Sequence, residues 1–343
     1  MNNKAKIAWK PQNYEARVAS VRIRCLNTLR ELRAERFPIE LYRERHEASY
    51  RAVVFSKAYS SKDIAIAERL KQQGVKVVFD ICDNHFLLKN DRVVRLKRMF
   101  ELADHWVVSS HALARVVRQN LGNEKPLTVI EDAVEQSLSG NWFDISSCLK
   151  AHWQLHTLRR FLRDPALVDA AHLVWFGNHK ASYQNSGIAH VTKLRSLFEK
   201  IHASTPITLT IISNSKPAFD DVFVDWQLPL FYMDWSAHTF FTAMRRHSIA
   251  VIPIEVNEFT EVKTNNRIAQ SLFLGLGVVA DSIESYQVFA DCAYLDRWEQ
   301  GLHAYIENPV AIAQHISDAS AILQQKFSVP VIAGRWKALL ESL

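Results

Sequence analysis

The chain has 343 residues, 48% hydrophobic and 23% charged, with only 9 Gly and 10 Pro. That composition belongs to a globular protein long enough for two domains with large cores, and it excludes a disordered, fibrous or disulfide-stapled fold. No apolar run approaches the roughly 18 to 20 residues of a membrane span, and residues 268–280, the longest uncharged stretch near the end, are interrupted by Gly275 and Gly277.

Charge is unevenly spread. The net charge is +6, but residues 1–150 carry 26 Lys and Arg against 18 Asp and Glu, a balance of +8, while the remainder is −2. A one-sided positive surface points to an anionic partner: nucleic acid, a phosphorylated substrate or an acidic leaflet. No RRM or helix-turn-helix signature accompanies it, so nucleic acid is not expected. The opening MNNKAKIAWK lacks the apolar stretch of a secretory signal, which predicts a cytoplasmic protein. Cys25, Cys82, Cys148 and Cys292 are too scattered for a zinc site or a disulfide framework and are expected reduced and half-buried.

Apolar runs alternate with helical patterns through the first half. Residues 6–10 read as a short strand, followed by ARVASVRIRCLNTLRELR, in which Val18, Val21, Cys25, Leu29 and Leu32 share one helical face. On that geometry Arg22 and Arg24 cannot both point inward, and at least one is expected in solvent. RAVVFS (51–56) reads as a buried strand, and Ser61 then caps a helix with Ile64, Ala67 and Leu70 on one face, stopping at Gly74. VKVVFDI (75–81) is the next strand, a helix spans 88–103, HWVVS (105–109) is a strand, a helix runs to Gly122, and LTVIE (127–131) is a strand. The pattern lapses over 136–171, a polar and partly helical stretch. It restarts at HLVWFG (172–177) and continues with a helix, ITLTIIS (207–213), a helix near 237–247, IAVIPI (249–254), a helix starting at 263, and GVVAD (277–281).

Strand, helix, strand in this order predicts right-handed crossovers and parallel sheets. The expected fold is α/β, two Rossmann-like domains facing a central cleft: residues 1–150, a linker over 151–171, residues 172–327, and a last helix over 328–343 that starts at Ser328 and Pro330 and returns toward the first domain.

The most informative stretch is IAVIPIEVNEFTEVKTNNRIAQSLFLGLGVVAD (249–281). A helix from 263 places Lys263 and Arg267 four apart on one face, in its first turns. Cations there oppose the positive end of the helix dipole unless an anion is bound, which suggests a phosphate site. The alternative is a solvated pair, or partners for Glu258 and Glu261. In DICDNH, Asp80, Asp83 and His85 stand at the carboxyl end of a strand, where they would orient an acceptor hydroxyl, act as acid or base, or hold a metal. The helix around LLKNDRVVRLKRMFELA (87–103) sets Val93, Leu96, Met99 and Phe100 on one side and Lys89, Arg92, Arg95, Lys97 and Arg98 over the others, the pattern of a packed helix or of one lying on an acidic membrane surface.

A strand ending in Pro, a loop, K-x-x-N-R at 263–267, a polar residue at Gln270 and G-x-x-V-V-A at 275–280 together resemble the donor-binding segment of GT-B glycosyltransferases, especially the family 4-like group (glycosyl transferases group 1). VVFDICDNHF (77–86), ADHWVVSS (103–110), TVIEDAVE (128–135) and LVWFG (173–177) are similar to further family stretches in the same order. The resemblance implies an acceptor domain first and a sugar-nucleotide domain second. It implies transfer of a hexose-type sugar from a UDP or GDP donor to a glycan or lipid-linked acceptor, with retention, in surface polysaccharide or glycolipid synthesis. No metal or cofactor beyond the donor is implied, and the D-x-D reading of Asp80 to Asp83 is rejected. A peripheral position at the inner membrane follows for a lipid-linked acceptor.

By the same resemblance, Gly177, Lys263, Thr264, Arg267 and Gln270 would bind the donor, Ser20, Arg24 and Asp80 the acceptor, and Asp83 and His85 would serve in catalysis. One departure stands out. Many members carry two glutamates separated by seven residues; Gln270 occupies the second position, and the first corresponds to Glu255 or Glu258. The rival readings are a sugar-nucleotide epimerase or phosphorylase on the same architecture, and a non-catalytic scaffold, which Gln270 favours.

Overall fold

The computed structural model describes residues 6–136, 145–179 and 187–343, so residues 137–144 of the lapse in pattern lie outside the described residues. Two six-stranded sheets, parallel throughout, organise the rest. The first comprises β1 (Lys6–Pro11), β2 (Ile39–Leu41), β3 (Tyr50–Ser56), β4 (Lys76–Ile81), β5 (His105–Val108) and β6 (Leu127–Val129), in the order β2-β1-β3-β4-β5-β6. The second comprises β7 (Ala171–Phe176), β8 (Ile207–Ser213), β9 (Leu230–Asp234), β10 (Ile249–Ile252), β11 (Gly277–Ala280) and β12 (Tyr294–Leu295), in the order β12-β11-β10-β7-β8-β9. Central strands buried on both faces read as continuous Val, Ile and Phe runs. Their register stacks rings: Phe55 pairs with Phe79 and Phe79 with Trp106, while Phe100 sits edge-on 4.8 Å from Phe79 and 5.3 Å from Trp106.

Strand order reverses once in each sheet. In the first, the chain leaves β1 for β2 on one side and returns for β3 on the other; in the second, β7 leads to β8 and the chain returns to β10. The crevices beyond the carboxyl ends of β1 and β3, and of β7 and β10, are where open parallel sheets place ligands.

Several boundaries differ from the sequence expectation. Ser60, not Ser61, caps the helix Ser61–Gln72, because Asp63 completes a capping box with it. The basic helix is Asp91–Leu102; Asn90 takes a left-handed φ of 69° that breaks the chain from the preceding turn His85–Leu87. Strands β2, β9 and β12 are additions to the expected set. The helix near 237–247 shrinks to Phe240–Met244. Cys25, Cys82 and Cys292 are buried rather than half-buried, and all four cysteines are free.

The chain crosses between the sheets twice, and the crossings touch: the Val134 N–H donates to the Phe327 carbonyl at 2.8 Å. The helix Ile145–Phe161 contributes Leu155 and Leu158 to the core under the second sheet. The last helix, Val329–Glu341, starts after Ser328 with Pro330 in its first turn and packs Ile332, Trp336 and Leu340 into the core of the first sheet, with the Trp336 ring 4.6 Å from Trp9. Among the described residues, no helix is long and apolar enough to cross a membrane.

Candidate active site

Beyond the end of β1, Val21–Asn27 winds as a π-helix before the α-helix Thr28–Ala34. The wider i to i+5 turn shifts the phase of the side chains. Arg22 and Arg24 are consequently both buried, at 8% and 3% exposure, which corrects the expectation that one is solvated. Each has acquired carboxylates. Arg22 grips Glu135 with two bonds, at 2.7 and 2.9 Å. Arg24 binds Asp80, the carbonyl of Ile130 at 3.0 Å and Asp132 at 2.9 Å.

Asp80 has no exposed surface and also accepts from Ser56 at 2.8 Å. Asp80 and Arg24, expected to meet the acceptor, therefore spend their charges on each other. They form the floor of a cavity of about 10 Å³, with Ser20, Ser56 and Lys57 around it, at the β1/β3 switch point. That volume holds roughly one water.

Above this floor lies Asp83, with both oxygens occupied. Lys57 Nζ donates to Oδ2 at 2.5 Å, and Lys263 Nζ, from the opposite sheet, donates to Oδ1. Burial by itself would raise the Asp83 carboxyl, but Lys263 and then Lys57 outweigh it and hold the group well below the usual carboxylate range. His85 Nε2 stands 3.8 Å from Asp83, and its Nδ1 is 2.9 Å from the Tyr59 hydroxyl. Burial, reinforced by Lys57, lowers His85 to about 4, so the imidazole is neutral near pH 7. Asp83 is thus a permanent anion suited to orienting a hydroxyl, and His85 a neutral polar neighbour; neither is tuned as a base near neutrality.

Lys263 lies outside the helix expected to carry it. That helix is Asn266–Phe273, and Lys263 belongs to the loop before it. The loop is shaped by its own polar groups: the Asn257 side chain accepts from the N–H groups of Phe259 and Thr260, and the Thr260 hydroxyl donates to the Glu255 carbonyl. This turn presents Val262 to the first sheet, where it is fully buried in that sheet's core. The seam continues residue by residue. Ser110 donates to the Val262 carbonyl at 2.7 Å, Asn84 to the Glu258 carbonyl at 3.0 Å, and Thr264 to Asp132 at 2.7 Å. The Gln270 amide is bonded at both ends to the backbone of Glu135, accepting at 3.0 Å and donating at 3.1 Å.

Arg267, in the first turn of the helix, lies over the rings of Trp175 and Phe176 at 5.2 and 5.3 Å. It closes on Gly177, the residue after β7. A Cβ at 177 would stand a tight 3.1 Å from the Trp175 ring and in ordinary contact, 3.7 Å, with the Arg267 guanidinium carbon, so glycine here eases the packing of the strand end against the Trp175 ring. The structure therefore brings Gly177 and Arg267 together at the β7/β10 switch point. Lys263, Thr264 and Gln270 are engaged with the first sheet.

No family model matches the sequence, and no curated protein is similar to it. Solved structures do match. Sucrose-phosphate synthase from Thermosynechococcus elongatus superposes with a TM-score of 0.69 at 12% identity, over 98% of both chains. A glycosyltransferase from Rickettsia africae gives 0.67 at 10% identity, over 99% of this chain and 98% of the other. The E. coli trehalose-6-phosphate structure solved with UDP-2-fluoro glucose bound gives 0.57 at 8% identity, over 85% of this chain and 73% of the other. The fold is GT-B.

Within the GT-B frame, the glutamate question takes a definite form. Glu255 and Glu258 are exposed, and the position eight before Gln270 is Val262, whose side chain is consumed in packing. Gln270 serves the seam through the backbone of Glu135. Sequence reasoning missed Lys57, Tyr59, Asp132 and Glu135. Lys57 had a readable signal, since it directly follows a buried parallel strand, the place where α/β sheets put ligand contacts. The roles of Asp132 and Glu135 had none, because their partners Arg24 and Arg22 lie more than 100 residues away.

Proposed function

We propose that the protein is a glycosyltransferase that takes a sugar from a nucleotide diphosphate donor. The observation that carries this reading is the placement of cations at two facing switch points of a GT-B fold: Arg267 beside Gly177 at β7/β10, and Lys57 with Lys263 around Asp83 at β1/β3. In this reading the donor diphosphate lies against Gly177, where a side chain would obstruct it, and Arg267 and Lys263 stabilise the charge that develops on the leaving group. UDP is the first base to test, since the E. coli neighbour was solved with a UDP-sugar. Asp83 receives the acceptor hydroxyl, with the acceptor entering over Ser20 and Lys57. Arginine and lysine perform the charge neutralisation without a divalent ion, and transfer proceeds with retention.

The acceptor is a glycan or lipid-linked sugar. For the latter, the helix Asp91–Leu102 supplies exposed Arg92, Lys97 and Val94 beside exposed Leu87 and Lys89, a surface fitted to an acidic leaflet at the cytoplasmic face.

Thermal melting against UDP and GDP tests the donor reading. A ligand confined to the folded state at a hundredfold its Kd adds about 2.7 kcal/mol. A shift with either nucleotide, unaffected by EDTA, supports the reading; no shift at millimolar concentration overturns it. Greater retention on acidic than on neutral vesicles, reversed by salt, supports the leaflet.

A further inference from the structure

The Lys57, Asp83 and Lys263 triad joins two halves of the molecule through a single carboxylate. Lys57 comes from the end of β3 and holds Oδ2; Lys263 comes from the loop after β10 and holds Oδ1. Only 9% of Asp83 is exposed, so a partner lost from it is replaced poorly by water. Lys57 is held in an unusual backbone state, with φ of 54° in the left-handed region, and its N–H donates to the Asp80 carbonyl at 2.8 Å. A β-carbon residue kept there carries a cost that the surroundings must impose. The consequence here is that its side chain turns back over the switch point, toward Asp83.

We propose that the triad is a latch that makes the Asp83 oxygen facing the acceptor available only after the donor has bound. The proposal rests on the donor reading above. The incoming diphosphate competes with Asp83 for Lys263. When Lys263 transfers to the phosphates, Oδ1 is freed for an acceptor hydroxyl, while Lys57 keeps Oδ2 and spares the buried carboxylate from standing alone. Lys57 is a positioning residue in this scheme. It never touches the donor, yet donor affinity depends on it, because without Lys57 the carboxylate has a single cation and releases it less readily.

The test measures the Kd of UDP and of GDP by titration calorimetry for the parent, Asp83→Asn, Lys57→Met, Lys57→Arg and the double variant Lys57→Met/Asp83→Asn, with melting curves confirming that each is folded. Removing the charge at 83 releases Lys263 in advance. If the paired state is favoured about ten to one, Asp83→Asn binds the nucleotide about tenfold more tightly while losing transfer. Lys57→Met weakens binding several-fold, Lys57→Arg restores it, and in the Asp83→Asn background the Lys57 change has no effect, which is the signature of coupling through Asp83.

If the parent binds nucleotide and Asp83→Asn binds equally or more weakly, the latch is wrong and the donor reading stands. The latch is equally wrong if the two changes act additively. If neither parent nor any variant binds either nucleotide, the donor reading fails and takes the latch with it.

Discussion

The two sheets share a topology of six parallel strands with one reversal, yet their switch points are built from opposite materials. At the first, charge is buried and paired: Arg24 with Asp80 and Asp132, Arg22 with Glu135, Lys57 with Asp83. At the second, an arginine rests on two aromatic rings beside a glycine. Buried ion pairs lock geometry, because each charge is stable only with its partner in place. A guanidinium lying over two rings is held by its flat face, so its position depends on packing as well as on charge. The first half is thus fixed by ion pairs that also make the seam, and the second, in the proposed reading the donor half, is fixed by packing around Arg267.

The strongest way to break this contrast is to remove the central cation of the first half. Arg24→Met strands Asp80 and Asp132 as buried carboxylates and should cost about 3 to 5 kcal/mol of folding stability. Urea unfolding measures this, and a loss under about 1 kcal/mol would mean that water or relaxation substitutes for the arginine.

The matching change in the second half should act on chemistry instead. Arg267→Ala is expected to lower transfer roughly a hundredfold, about 3 kcal/mol of transition-state stabilisation. Its ligand-free melting should stay close to the parent's. Near-parental turnover with a collapsed melting temperature would overturn the reading of the second half as the donor half.

A pH series sharpens the comparison, because each half buries a histidine. His247, under the second sheet, is bonded to the Ala243 carbonyl at 2.9 Å and the Thr210 hydroxyl at 2.7 Å, and burial lowers it to about 4. The unfolded chain takes up this proton as pH falls through about 6.5, whereas the native state resists until about 4. Stability is therefore complete above about pH 6.5 and declines toward pH 4, with a slope of up to about 1.4 kcal/mol per pH unit per histidine. His85 adds to the same window from the first half. His247→Gln should flatten part of the decline in chemical denaturation at pH 7, 6 and 5; an unchanged slope would place the proton uptake elsewhere.

The smallest expected effect comes from Gly177→Ala. Its methyl group would meet Trp175, which is only 1% exposed and cannot yield freely. A cost of about 1 to 3 kcal/mol follows from overpacking, together with weaker nucleotide binding if the donor lies against the backbone at 177. Unchanged affinity would show that the donor does not approach the backbone at 177.

Much of the fold was legible because hydrophobic period is a local property. Every expected strand exists, and the two α/β units fall on either side of the lapse after residue 136. The strands that escaped, β2, β9 and β12, are all at sheet edges, where a short strand with one neighbour needs no long apolar run to declare it. The π-helix after β1 escaped for a related reason: a 3.6-residue template has no place for an i to i+5 turn, so the burial of both Arg22 and Arg24 was invisible.

The sequence by itself determined the parallel α/β architecture, the two cleft-facing units and the chemistry available there: Asp80, Asp83 and His85 at one strand end, Gly177 and Arg267 near others. Only the tertiary structure decided who partners whom. Lys263 and Asp83 are 180 residues apart, Thr264 and Asp132 are 132 apart, and Gln270 and Glu135 are 135 apart. A charge declares its sign in the sequence, but its partner is chosen by the docking of two sheets, because Coulomb attraction acts through space and the pairing of buried charges depends on which crevices the topology brings together.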